Sequence, residues 1–155
     1  SPVFTTPCST HEKDGGCYAG GLVENSLETT SKMRKLASAF DLDISTSSIL
    51  KVGLLHEVGK VGTLEEDLFV TQDSSWHREK LGQFYKYNEN CPKMNVGHRT
   101  LWMLNELGIK LDYQEWVSIA TSQGLHLQEN SFYASGKLPP LALLLQAARN
   151  IVLNA

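Results

Sequence analysis

The stretch that most constrains this chain is Ile49-Leu50-Lys51-Val52-Gly53-Leu54-Leu55-His56-Glu57-Val58-Gly59-Lys60. Apolar side chains at helical spacing run directly into a histidine and a carboxylate, and Gly59-Lys60 then closes the element. Such a helix carries two polar groups inward at its C-terminal end. Burying them without partners costs about 1–3 kcal/mol each, so other segments must supply partners for His56 and Glu57.

On the N-terminal side, residues 1–21 contain Pro2, Pro7, Gly15, Gly16, Gly20 and Gly21 with Ser and Thr between them, the composition of an ordered but irregular arm. Cys8 and Cys17 lack the paired spacing of a zinc site and read as small buried thiols in a loop, with His11 at the surface. From Leu22 the pattern turns helical: Leu22, Ser26, Met33, Leu36, Ala37 and Phe40 share a face. Asn25 therefore lies within a turn of the first helix's start. Asp41-Leu42-Asp43 ends this helix, and Ser45 to Ser48 offer caps for the next, which places Ile49, Val52, Leu55 and His56 on one side.

Beyond Lys60 the chain is less regular. Leu68–Thr71 and Gln83–Tyr87 read as two arms of a small hairpin, with Trp76–Leu81 a capped turn between them. A helix is expected from about Gly97 to Leu107, with Leu101, Trp102, Leu104 and Leu107 inward and Gly108 as its terminating glycine. Asp112 caps another that stops near Gly124, with Trp116, Ile119 and Ala120 toward the core. After a polar loop over 125–137, Pro139 opens a last helix with Leu141, Leu144, Leu145, Ala148, Ile151 and Val152 inward. The expectation is one mainly α domain over 1–155, an arm over 1–21 and a helical core over 22–155, with five or six helices and a small β-hairpin.

Composition narrows the functional classes. A formal charge of -3 with the 14 Lys and Arg scattered gives no basic footprint for duplex nucleic acid. The longest apolar run, Leu141–Leu145, falls far short of the roughly 20 residues that span a bilayer, and no signal-peptide pattern is present. An odd, sparse set of 3 cysteines points to reduced thiols and a cytoplasmic setting. The chain opens on Ser1 with no Met, which leaves Met removal, processing and trimming all open.

Three segments taken in order carry a resemblance: Gly20-Gly21-Leu22-Val23-Glu24-Asn25-Ser26-Leu27, then Gly53-Leu54-Leu55-His56-Glu57-Val58-Gly59-Lys60, then Leu143-Leu144-Leu145-Gln146-Ala147-Ala148-Arg149. Their order and spacing resemble the HD-domain metal-dependent phosphohydrolases, most closely the small HD-domain proteins of phages and bacteria. Phe4–Thr10, Trp76–Gly82 and Gly124–Tyr133 fit the same group. The resemblance implies an HD-like helical bundle in which active members hold a divalent metal with a first-helix histidine, a His-Asp pair and a last-helix aspartate. That metal generates a nucleophile from bound water at neutral pH.

This chain departs from the pattern at nearly every ligand. Asn25 stands at the first-helix position, His56-Glu57 replaces His-Asp, Arg149 stands at the last-helix position, and Ser122-Gln123 occupies a further His-Asp position. Asparagine is a weak transition-metal ligand beside imidazole, and a guanidinium keeps its charge where a cation should sit. The resemblance therefore implies a vestigial site, His56, Glu57, Asn25 and Arg149, without catalytic or metal-binding function. A Glu57–Arg149 ion pair is expected to replace the metal, leaving His56 to bond Asn25. Lys60 has two open roles, a phosphate contact at the pocket rim or a helix-terminal cation.

The resulting expectation is a non-enzymatic structural or protein-binding module with a protein partner and no cofactor, of the kind a phage accessory or virion component would be, in host cytoplasm or virion. One alternative is a nucleotide phosphohydrolase using Mn, Co, Zn or Fe on His56 and Glu57, with His126 as a further candidate. Another is a metal-free nucleotide binder whose Lys60 and Arg149 hold phosphates. His11, His77 and His98 read as surface or hydrogen-bonded histidines.

Overall fold

Helix α1 (Gly21–Ala39) forms the long side of the domain, and α2 (Thr46–Leu55) returns antiparallel to it after a tight turn capped by Ser45, whose side chain accepts from the Ser48 N–H. The structure is a computed structural model that describes residues 2–154. Seven α-helices and one two-stranded antiparallel sheet make up the described fold. The remaining helices are α3 (Ser75–Leu81), α4 (Val96–Glu106), α5 (Tyr113–Ala120), α6 (Ser131–Ala134) and α7 (Pro140–Asn154). Five of the seven are long enough to build layers, the number that the periodicity suggests; α3 and α6 are short additions where a turn and a loop were expected.

The core lies where α1, α2, α5 and α7 meet, with α4 closing one end. Met33, Ile49, Val52, Leu104, Ile119, Leu141 and Leu145 are fully or almost fully buried there, which supplies most of the driving force for burying the polar groups nearby. Two glycines let the elements approach. A Cβ on Gly53 would sit 2.3 Å from Thr30 Oγ1, so α1 and α2 cross closely at that point. A Cβ on Gly59 would meet the Val96 carbonyl at 2.6 Å, and the Gly59 N–H donates to Thr100 Oγ1 at 2.9 Å. The segment after His56-Glu57 is thereby pinned against α4.

The hairpin pairs β1 (Phe69–Thr71) with β2 (Tyr85–Tyr87) in the register Phe69↔Tyr87, Val70↔Lys86, Thr71↔Tyr85. Phe69 thus faces Tyr87, their ring centroids 5.5 Å apart, and a satellite core forms from Leu68, Phe69 and Cys91. Asp112 caps α5 through a reciprocal capping box with Glu115. Gly108, at φ 73°, terminates α4 as its place after the helix demands.

Several side chains expected inside are outside. Phe40, Trp102, Leu107, Trp116 and Ile151 are substantially exposed: Phe40 and Leu107 are the C-cap residues of α1 and α4, past the packed turns, and the other three lie off the stripe by which their helices meet a neighbour. Helix α2 also ends earlier than expected. His56 is its C-cap residue and Gly59 lies within a separate 3-10 turn, Val58–Val61. No helix among the described residues is long and apolar enough to cross a membrane.

Candidate functional site

His56 and Glu57 are 1% and 3% exposed. The chain leaves α2 at this pair, and the close contact of Gly53 with Thr30 brings it beneath α1. Helix α7 brings Arg149 to the same point, and the N-terminal arm folds over it with Cys8. Gly16 makes that last approach feasible: at φ 66°, a Cβ there would stand 2.6 Å from the Cys8 Cβ. Asn25, His56, Glu57 and Arg149, from three helices or their ends, line one cavity of about 10 Å3. A single water needs roughly 10–15 Å3, so the side chains leave room for one water at most.

The hydrogen bonds fix the protonation pattern. His56 Nδ1 lies 3.1 Å from the Val52 carbonyl and 2.9 Å from the Gly53 carbonyl. Facing only acceptors, Nδ1 carries the proton. Nε2 therefore presents a lone pair, and it accepts from Arg149 Nη1 at 2.9 Å. The same Nη1 forms an ion pair with Glu57 Oε1. Nε2 and Oε1 are 3.4 Å apart and converge as acceptors on one guanidinium nitrogen, whose two protons serve both. Burial first, and the Arg149 charge second, hold His56 well below the ordinary imidazole range. Burial lowers Arg149 to about 10, so it stays cationic at neutral pH.

The other carboxylate oxygen is equally occupied. Glu57 Oε2 accepts from Lys60 Nζ at 2.8 Å and from the Cys8 thiol at 3.3 Å. Lys60 Nζ also donates to the Cys8 carbonyl at 2.7 Å. Asn25 Nδ2 donates to Cys8 Sγ at 3.1 Å rather than to His56. The expected Asn25–His56 bond is absent because backbone carbonyls and Arg149 use both ring nitrogens first. With two cations and one carboxylate, the cluster carries a net charge near +1 when the thiol is protonated.

A divalent metal does not fit this donor set. The His56 lone pair that would ligate is already bonded to Arg149, and each Glu57 oxygen is bonded to a cation. A charge placed 4 Å from the guanidinium meets about 4 kcal/mol of repulsion per unit charge at an effective dielectric near 20. No group of three or more His, Cys, Asp or Glu among the described residues is placed to hold a metal.

Other expected positions lie apart from this centre. His126 is exposed on the loop after Gly124. Ser122 is buried, and its carbonyl and that of Thr121 accept from Gln146 Nε2 of α7 at 3.2 and 3.0 Å; Gln123 Nε2 donates to Ser122 Oγ. This pair ties the end of α5 to α7 and makes no bond to His56 or Glu57. Cys8 is the participant that residue type did not point to. It is one of a few thiols in a loop, and only the tertiary closure of the arm, 49 positions from Glu57, brings it to the carboxylate. Known protein families, characterised proteins and solved structures offer no match to this chain.

Proposed function

We propose that this chain is a non-catalytic HD-like domain acting as a structural or protein-binding module, with its centre held by the Glu57–Arg149–His56 cluster. The observation that carries this reading is the double use of Arg149 Nη1 on His56 Nε2 and Glu57 Oε1. A phosphohydrolase needs those two acceptors free for a metal and needs room for a water and a phosphate beside it. Here they are engaged and the remaining space is about 10 Å3. Lys60, the other candidate phosphate contact, is bonded to Glu57 and to a backbone carbonyl, which also weighs against a nucleotide binder.

For the binding role, a groove of about 730 Å3 runs between α1 and α2. Exposed Leu27, Leu50 and Leu54 line it together with Arg34 and Lys35, and neither cation has a salt-bridge partner among the described residues. Leucines flanked by unpaired cations suit the apolar face of an amphipathic helix bearing acidic side chains.

Two measurements test the proposal. Protein purified without chelator is expected to contain less than a tenth of an equivalent of Mn, Co, Zn or Fe and to release no phosphate from nucleoside mono- or triphosphates with added Mn, Co or Mg. One equivalent of bound metal with turnover overturns it. A designed Leu/Glu amphipathic peptide should shift the amide resonances of Leu27, Leu50 and Leu54, and Arg34→Glu with Lys35→Glu should abolish the shift. Absence of any shift in the unaltered protein removes the groove from the proposal.

A further inference from the structure

Arg99 lies in the first turns of α4, is 2% exposed, and has no carboxylate within ion-pairing distance among the described residues. Its Nη2 donates to the Pro92 carbonyl. Its Nη1 is buried and has no hydrogen-bond partner among the described residues. A guanidinium removed from water with neither a counter-charge nor a full set of acceptors is strongly unfavourable, and folded proteins keep few such groups without a use for them.

The same arginine lines a hollow of about 870 Å3 between the hairpin and the start of α4, within the size range of small-molecule sites. Asn95 and Val96, the N-cap and first residue of α4, also line it. The Asn95 side chain satisfies the His98 N–H, but a helix start presents further free N–H groups and the positive end of the dipole. Leu68, Tyr87, Pro92 and Met94 give the hollow an apolar wall. Lys93, Glu89 and Glu129 border it too, yet all three are exposed, so water and salt screen them. Arg99 is the only buried charge among the lining residues.

We infer that this hollow binds a small molecule with one oxyanion end, a carboxylate or phosphate, and an apolar body. The oxyanion supplies the acceptor and counter-charge that Arg99 lacks, at a helix N-terminus suited to anions. The apolar body covers Tyr87 and Met94. The site is separate from the His56 centre and does not depend on its assignment.

The test is an NMR titration of the full chain at constant ionic strength with hexanoate, hexyl phosphate and the neutral hexanamide. At least one anion should shift the Val96 amide and the Arg99 Nε–H and bind roughly tenfold or more tightly than hexanamide; which anion does so identifies the headgroup. Arg99→Met should lose roughly tenfold or more in affinity for the anion and leave hexanamide unchanged. Met94→Asp, at an exposed position of the wall, keeps Arg99 intact and should weaken the anion by a similar factor, which covers the case in which Arg99→Met does not fold. No shift with either anion, equal binding of hexanamide, or anion binding insensitive to the variants that fold overturns the inference.

Discussion

Arg149 decides the chemistry of the centre because it serves two acceptors, His56 Nε2 and Glu57 Oε1, to which no other side chain among the described residues donates. Removing one member of a buried ion pair strands the other, at about 3–5 kcal/mol. Arg149→Met still leaves Glu57 with Lys60 and should cost about 3 kcal/mol in urea unfolding. Glu57→Gln strands two cations and should cost more, whereas the double variant should cost clearly less than the sum, because the two sites share one network. If the two single losses simply add, the pair is not coupled as its geometry requires. His56 gives the centre a pH dependence. Its folded pKa lies below its unfolded value near 6.5, so the unfolded chain takes up the proton first as pH falls. The contribution is complete above pH 6.5 and is lost progressively below it, by up to about 1.4 kcal/mol per pH unit. Stability measured from pH 7.5 to 5 should decline with a steeper slope for the unaltered protein than for His56→Gln. Equal slopes would mean that His56 is not the neutral, buried group described.

At the scale of elements, the residue types that act locally were legible from sequence, and those that depend on packing were not. Ser45 and Asp112 cap helices through bonds to residues three positions on, so their roles can be read without knowing the fold. Helical period likewise located α1, α2, α4, α5 and α7. Period alone could not say which of several apolar stripes meets a neighbour, hence the outward Trp102, Trp116 and Ile151, nor where a helix would end, hence the outward C-cap residues Phe40 and Leu107. It also gave no reason to suspect Arg99 as a buried residue. In the site, His56 and Glu57 are legible because polar groups at the end of an apolar helix need partners, and Arg149 only through the last-helix position that the resemblance assigns to it. Cys8 did not, since its role exists only once the arm closes. The α1–α2 crossing makes the element scale testable. Gly53→Ala places a methyl 2.3 Å from Thr30 Oγ1 and should destabilise by about 1–3 kcal/mol, the usual cost of overpacking. Thr30→Ala in the same chain removes the clashing oxygen and should recover part of that loss, although it gives up the Thr30 Oγ1 bond to the Ser26 carbonyl. No recovery in thermal unfolding would show that the backbone, not the hydroxyl, sets the spacing.

For the molecule as a whole, the telling property is that positions 25, 56, 57 and 149 meet, although they come from an arm-proximal helix, a helix end and the last helix. Three segments far apart in sequence thus bring four polar side chains to one small cavity. In this chain the filling is a guanidinium, and its charge and volume together oppose a metal. Both objections are removable by substitution. Arg149→Asp replaces a cation with a ligand and vacates space, Glu57→Asp shortens the neighbouring carboxylate, and Asn25→His adds an imidazole on α1. The triple variant presents two imidazoles and two carboxylates, a set suited to a first-row divalent ion. It should also be less stable without metal, because the carboxylate at 57 loses the arginine and faces the carboxylate added at 149, and regain stability as metal is supplied, by RT ln(1 + [L]/Kd). The expected outcome is a chain that keeps its helical circular dichroism, melts higher with Mn or Co in a concentration-dependent way, and binds about one equivalent. Arg149→Asp alone should give a smaller metal-dependent rise, since Asn25 and the longer Glu57 still complete the shell poorly. A triple variant that stays folded and indifferent to metal would show that these four positions share a cavity without sharing the ligand geometry that the resemblance assigns to them.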